Sequence, residues 1–313
     1  MDKATLNQYR GCLIGLAVGD ILGAPFEFLS ADNVDMVLNK QTLESRGFRF
    51  RDRVYPAGYY TDDTSLMICL AESLIQRGFD QDDQFLRYKS WLLNGYATPL
   101  GDTCYGIGLH TLDVLSKQTM LDVEKMDGSE EEAGGNGSIM RCAPIGLLYY
   151  CNYPEIQSKS LLSSYVTHNN LIAGWSCVVL NSIISMIIEG KNKNEILPKI
   201  LALFPGAPDE IKELLALDFS RSSKYSWNVS GYSLDTLRIA IWSWQHSTSF
   251  GESIEQVIRL GDDTDTFAAV TGAITGTEYG YGAIPETWRD TIINKEWILS
   301  LADSLYANTI DTQ

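Results

Sequence analysis

Carboxylates crowd two short stretches of this chain. Thr61-Asp62-Asp63-Thr64 stands directly before an apolar pattern from Ser65 to Ile75, and Asp262-Asp263-Thr264-Asp265-Thr266 directly before Phe267 to Ile274. The stretches lie about 200 residues apart, yet each sets acids and hydroxyls at an expected helix start. One explanation is capping: Asp or Thr accepts hydrogen bonds from unpaired helix amides, and negative charge suits that end of the dipole. A cap needs one such residue, not three Asp within four positions, because neighbouring carboxylates repel. The other explanation is a cation. If the two helix starts converge, four or five carboxylates and several hydroxyls surround one point. An all-oxygen set suits a hard divalent ion, Mg²⁺ or Mn²⁺, and two ions roughly 3.5–4 Å apart can share a carboxylate in a hydrolytic site. Spacing alone allows both explanations, since convergence is a tertiary property.

The elements that must position these groups read as helices. Leu6, Tyr9, Leu13, Leu16 and Ala17 recur mostly at steps of three and four, as do Leu66, Met67, Leu70, Leu74 and Ile75, with Gly78 placed as a stop. Residues 171–189 form a long, almost wholly apolar run, and Leu234, Leu237, Ile241 and Trp244 mark another helix. Period-two strands are scarce. The expected architecture is all-α, a single domain over residues 1–306 followed by a polar tail at 307–313. No repeat or Pro-rich linker divides it. The stretch DGSEEEAGGNGS at 127–138 reads as a loop. Its glycines would let backbone approach a ligand, and consecutive amides there can form a nest for phosphate oxygens. A plain solvated loop explains the composition equally.

Composition narrows the partners. With 40 Asp+Glu against 24 Lys+Arg the chain carries a formal charge of −16, which argues against non-specific adhesion to nucleic acid or anionic membrane. A nucleotide held in a local pocket is still compatible. The run Val178–Ile188 is interrupted by Asn and Ser and too short to span a bilayer, and a secretory signal is not expected from the first residues. Six cysteines without a Cys-x-x-Cys pair read as free thiols in a reducing cytoplasm, the expected location. His110, His168 and His246 lack metal-type spacing, so a His/Cys zinc site is not expected.

Four motifs occur in order: GCLIGLAVGDILGAPFEF (11–28), YTDDTSLMICLAESL (60–74), GNGSIMRCAPIGLL (135–148) and the segment from SGYSLDTLRIAIWSW to LGDDTDTFAAVTGAITGTEYG (230–280). Together they resemble the ADP-ribosylglycohydrolase family over nearly the whole chain, apart from 29–59 and 190–228. The resemblance implies an all-α orthogonal helical bundle with two divalent cations, usually Mg²⁺ or Mn²⁺. It implies hydrolysis of the N- or O-glycosidic bond between ADP-ribose and an acceptor, an ADP-ribosylated protein or another ADP-ribosylated molecule. Carried over by position, the metal ligands are Thr61, Asp62, Asp63, Asp263, Asp265 and Thr266. Asp262 stands where the family often has glycine and is not counted among them. Glu27 matches a glutamate that approaches the metals and the scissile ribose. Flanked by Phe26 and Phe28, it is expected to be partly buried with a raised pKa, and Glu27, Asp62 and Asp63 are the catalytic candidates. Asn136, Gly137, Ser138 and Met140 are expected to line the ADP-ribose cleft, with His168 near the nucleotide and Tyr232 offering a ring for adenine. Arg141 is assigned to an internal salt bridge.

One departure stands out. Cys104-Tyr105-Gly106-Ile107-Gly108 replaces a Cys-Phe-Asp-Ile-Gly segment of the nitrogenase-regulating branch, so that branch's substrate-handling acid is missing, although Asp102 is close by. The acceptor is therefore left to the rim, to residues 29–59 and 97–134. Two other functions fit the same acids: a metal-dependent phosphohydrolase of a nucleotide-type substrate, and a non-catalytic ADP-ribose binder.

Overall fold

Two helices from opposite ends of the chain run side by side and form the spine of the molecule. The first, Leu6–Gly23, opens on a capping box in which the Thr5 side chain accepts from the Gln8 amide and Gln8 reaches back to Thr5. Its partner is Thr264–Tyr279. Gly11, Gly15, Gly19 and Gly23 of the first helix meet Gly276, Gly272, Ala268 and Thr264 of the second, so the pair is antiparallel. The contact is backbone on backbone: a Cβ at Gly15 would stand 2.2 Å from the Gly272 carbonyl oxygen, and one at Gly272 2.1 Å from that of Gly15. Only glycine allows this approach. It brings the end of the first helix against the start of the second, where the second acidic stretch lies.

The computed structural model describes residues 5–129, 131–219 and 228–311. Among the described residues there are sixteen α-helices and one small antiparallel hairpin, Phe48–Phe50 against Arg53–Tyr55. The fold is all-α, as its periodicity predicts. Leu171–Ile188 is long and apolar enough in composition to cross a membrane, yet it is buried among other helices. Asp62–Arg77 ends at Gly78, whose φ of +71° suits a residue without Cβ. The hairpin escapes sequence reading because three-residue strands cannot show a period. Phe48 stacks on Tyr55 at 5.1 Å, and both join Tyr105 in a small aromatic cluster apart from the main core.

The expected polar tail at 307–313 needs correction. The last helix, Lys295–Asp311, takes in residues 307–311, where Thr309 is buried and its hydroxyl lies within hydrogen-bond reach of the Leu305 and Leu147 carbonyls, at 2.9 and 3.3 Å. Thr312 and Gln313 lie outside the described residues. Cys12, Cys69, Cys142 and Cys177 are buried free thiols, whereas Cys151 is exposed.

Candidate active site

The two acidic helix starts converge. Asp62 and Asp63 open one helix, and Asp263 and Asp265 flank the start of the other. Capping does not account for them: neither Thr61 nor Asp263, the two N-cap residues, makes a side-chain cap bond. The amides at the head of Asp62–Arg77 are satisfied instead by Asp20, which arrives from the first helix. Asp20 Oδ1 accepts from the Thr61 amide and hydroxyl, both at 2.9 Å, and Oδ2 accepts from the Thr64 amide at 3.1 Å and its hydroxyl at 2.6 Å. A cap supplied from another helix leaves the local acids free to point elsewhere. Sequence reading missed Asp20. Its signal was present: it follows Gly19 in a run of glycines at every fourth position, the mark of a close helix contact.

Carboxylate oxygens of Asp20, Asp63 and Asp265 lie within 4.8 Å of one another. Burial pushes the carboxyls of Asp62, Asp63 and Asp265 well above the usual carboxylate range. Neighbouring acids push further, Glu27 and Asp20 on Asp62, Asp20 and Asp62 on Asp63, Glu27 and Asp63 on Asp265. Asp20 rises by burial to about 6, restrained by its hydrogen bonds to Thr64 and Thr61. Asp63 Oδ1 is buried and has no hydrogen-bond partner among the described residues. An orphaned carboxylate oxygen amid like charges is what a hard cation would satisfy.

Glu27 follows the short Ala24–Phe26 turn at the end of the first helix and is half-buried. Its carboxyl is pushed up to about 8, first by burial, then by Asp263 and Asp20. The flanking phenylalanines divide: Phe26 is buried, but Phe28 is 76% exposed. The Phe28 amide donates to the Asp262 carbonyl at 2.7 Å, and the Asp262 amide to that of Leu29 at 2.8 Å, tying Glu27 to the second acidic stretch. Asp262 itself is exposed with φ +63°, a conformation that suits glycine.

A cavity of about 460 Å³ opens beside the acids, within the range of small-ligand sites. Glu27, Asp62, Asp263, Asp265 and Thr266 form one wall, and Asn136, Gly137, Met140 and His168 another. Thr61 and Asp63 are buried behind the first wall. Ser138 and Tyr232 are not on the surface of the cavity. Ser138 is buried and accepts from Ser164 at 2.8 Å, and the Tyr232 ring covers Gly134, where a Cβ would approach it to 2.5 Å. Nor is the Asn136 amide free for phosphate, since it donates to the Gly231 carbonyl at 2.9 Å. The Asn136 side chain donates to Asp263 at 2.7 Å and Thr236 at 3.0 Å, which fastens the glycine loop to the second acidic stretch.

His168 is buried, and burial together with Arg141 and His110 pushes its pKa well below the ordinary value, so it is a neutral wall residue. Arg141 makes no ion pair among the described residues, contrary to the expected salt bridge. It donates to the Gly137 carbonyl and the Thr167 hydroxyl and lies 4.6 Å over the Tyr88 ring. Gly106 has φ +85°, and a Cβ there would stand 2.6 Å from Asp62 Oδ1, while Asp102 is not on the cavity wall.

Fold and site define an all-α enzyme with an oxygen-lined acidic centre at one end of a nucleotide-sized cleft. Comparison with known proteins is more specific. The family profile described as ADP-ribosylglycohydrolase matches residues 1–313. An ADP-ribosylarginine hydrolase, Tri1, from Serratia proteamaculans is 30% identical over 97% of this chain and 80% of its own length. An ADP-ribosyl-[dinitrogen reductase] glycohydrolase from Rhodospirillum rubrum is 26% identical over 90% and 89%. A solved structure described as an ADP-ribosylglycohydrolase-related protein complex superposes with a TM-score of 0.76 at 32% identity, covering 97% and 98% of the two chains. The chain belongs to the ADP-ribosylglycohydrolase family and is a glycohydrolase.

Proposed function

We propose that this chain removes ADP-ribose from a modified protein by metal-dependent hydrolysis of the glycosidic bond. The observation that carries the proposal is the convergence of both acidic helix starts on one side of the cavity, with a buried Asp63 oxygen left unpaired. Thr61, Asp62, Asp63, Asp263, Asp265 and Thr266 would hold two divalent cations, Mg²⁺ before Mn²⁺ given hard oxygen donors. When bound, the cations supply Lewis-acid orientation of the ribose hydroxyls and lower the pKa of water. The Asp carboxylates then offset the positive charge that the ribose gains as the bond to the acceptor breaks. Glu27 faces the cavity whereas Asp63 does not, so Glu27 is the better placed proton carrier. With cations held beside it, their charge would offset Asp263 and Asp20 and leave Glu27 ionised. Water then adds its oxygen to the anomeric carbon, Glu27 takes the water proton, and the acceptor leaves with the bonding pair and receives that proton. Asn136 keeps the glycine loop against Asp263 so that the cleft holds its width.

The test is incubation of the purified protein with a peptide carrying ADP-ribosylated arginine and Mg²⁺, with products read by mass spectrometry. Free ADP-ribose is expected, and none in excess chelator. AMP or inorganic phosphate as the product, or full turnover in chelator, overturns the proposal.

A further inference from the structure

We propose that the hairpin Phe48–Tyr55 is a docking surface for the acceptor and that it recognises acidic protein sequence flanking the modified residue. Residues 46–53 read Arg-Gly-Phe-Arg-Phe-Arg-Asp-Arg, four arginines and one aspartate in a chain whose formal charge is −16. This is a local reversal of sign. Arg49, Arg51 and Arg53 are exposed and Arg46 is half-buried, and none of the four makes an ion pair among the described residues. By contrast Arg10, Arg87, Arg238 and Arg259 are all paired with acids. Exposed guanidinium groups without an acidic partner among the described residues are the free half of a charge-complementary contact.

Their position ties them to the cleft. Phe50 lines the cavity wall, and the Arg51 guanidinium lies 5.4 Å over its ring. Arg53 lies 5.6 Å over Tyr55, which is buried against Tyr105. Stacking holds the Arg51 guanidinium over a ring that lines the cavity, and Arg53 beside it on the paired strand, at little cost in side-chain freedom. The hairpin also packs against the Ala24–Phe26 turn that precedes Glu27. On this proposal a modified side chain whose ADP-ribose enters the cavity leads its own backbone past Phe50 and the arginines beside it. An acidic protein segment fits better than nucleic acid. Strands of three residues span only about 10 Å, enough for two or three carboxylates, and beyond that island the chain's negative charge would repel an extended phosphate backbone.

The inference rests on the proposed hydrolysis for its substrate, but its test separates the two. Peptides carrying ADP-ribosylated arginine between Glu and Asp residues, or between Ala and Ser residues, are compared with ADP-ribosylarginine alone. The wild type is set beside the triple variants Arg49→Glu/Arg51→Glu/Arg53→Glu and Arg49→Lys/Arg51→Lys/Arg53→Lys. Charge reversal is expected to lower kcat/KM for the acidic peptide about tenfold, mostly through KM, as removal of several rim charges does. ADP-ribosylarginine should change by less than about twofold, and the lysine variant should keep most of the acidic preference. Equal loss on the small substrate, no wild-type preference for the acidic peptide, or a stronger preference for an ADP-ribosylated oligonucleotide each overturns the inference. A fluorescent, unmodified Glu-rich peptide followed by polarisation adds an arm that needs no turnover. If no substrate is hydrolysed but that peptide still binds the wild type and not the reversed variant, hydrolysis fails and the docking surface stands. If it binds neither, the docking surface fails.

Discussion

Asp20→Asn isolates the role of the carboxylate that the acidic stretches do not contain. Asp20 is fully buried and its two oxygens accept from four donors, two on Thr61 and two on Thr64. Asparagine keeps one acceptor oxygen. The least costly placement puts its NH₂ at the Oδ1 position, because the Thr61 amide also lies 3.0 Å from Oδ2 and keeps a partner. The Thr61 hydroxyl then faces a donor and must turn, giving its hydrogen to Asp63 Oδ2 at 3.1 Å. That rotation withdraws one lone pair from each of two proposed ligands. Lost charge-assisted hydrogen bonding costs about 1.5–3 kcal/mol. Removing one negative charge from among Asp62, Asp63 and Asp265 returns a comparable amount, since Asp20 raises the carboxyls of all three. Metal-free stability should therefore change by less than about 2 kcal/mol, while divalent-ion affinity falls about 10–100-fold, the scale of losing a ligand-orienting partner. Calorimetric titration with Mn²⁺ and thermal melts in chelator read the two quantities separately. Wild-type Mn²⁺ affinity in a folded Asp20→Asn protein refutes this reasoning.

Other consequences follow from the same geometry. Asp63→Asn keeps an acceptor for Thr61 but removes a carboxyl whose ionised form burial, Asp20 and Asp62 disfavour, so the metal-free protein should gain about 1–2 kcal/mol and lose Mn²⁺ binding and turnover; a melt below wild type in chelator contradicts it. Gly272→Val forces a side chain where a Cβ already meets the Gly15 carbonyl at 2.1 Å. It should cost more than about 3 kcal/mol by denaturant unfolding, and an unchanged midpoint would mean that the helix pair tolerates separation. The raised carboxyls of Asp20, about 6, and Glu27, about 8, give a signed pH effect. Their neutral forms favour the fold below the ordinary carboxylate range, and that contribution is lost as pH climbs through 6 and then 8. In chelator the melting temperature should fall from pH 5 to about pH 8, and less steeply across that range in Glu27→Gln, whereas saturating Mg²⁺ should flatten the trend. A slope that is identical in Glu27→Gln shows that Glu27 does not titrate in that window.

Chemistry and helices were legible in the residue order because both are local properties. Three- and four-residue apolar steps mark the helix Asp62–Arg77 whatever surrounds it, and Asp263-Thr264-Asp265 announces a crowd of oxygens by type alone. Folding decided what requires distance: that two stretches about 200 residues apart share one point, that Asp20 rather than Thr61 satisfies the head of Asp62–Arg77, and that the Asn136 amide belongs to Gly231 rather than to a ligand. Ser138 and Tyr232 show the same limit, since a motif fixes neighbours along the backbone but not which side of a loop meets the cavity. Backbone contact between Gly15 and Gly272 is the physical reason the acids meet, because no side chain intervenes to hold the two helices apart.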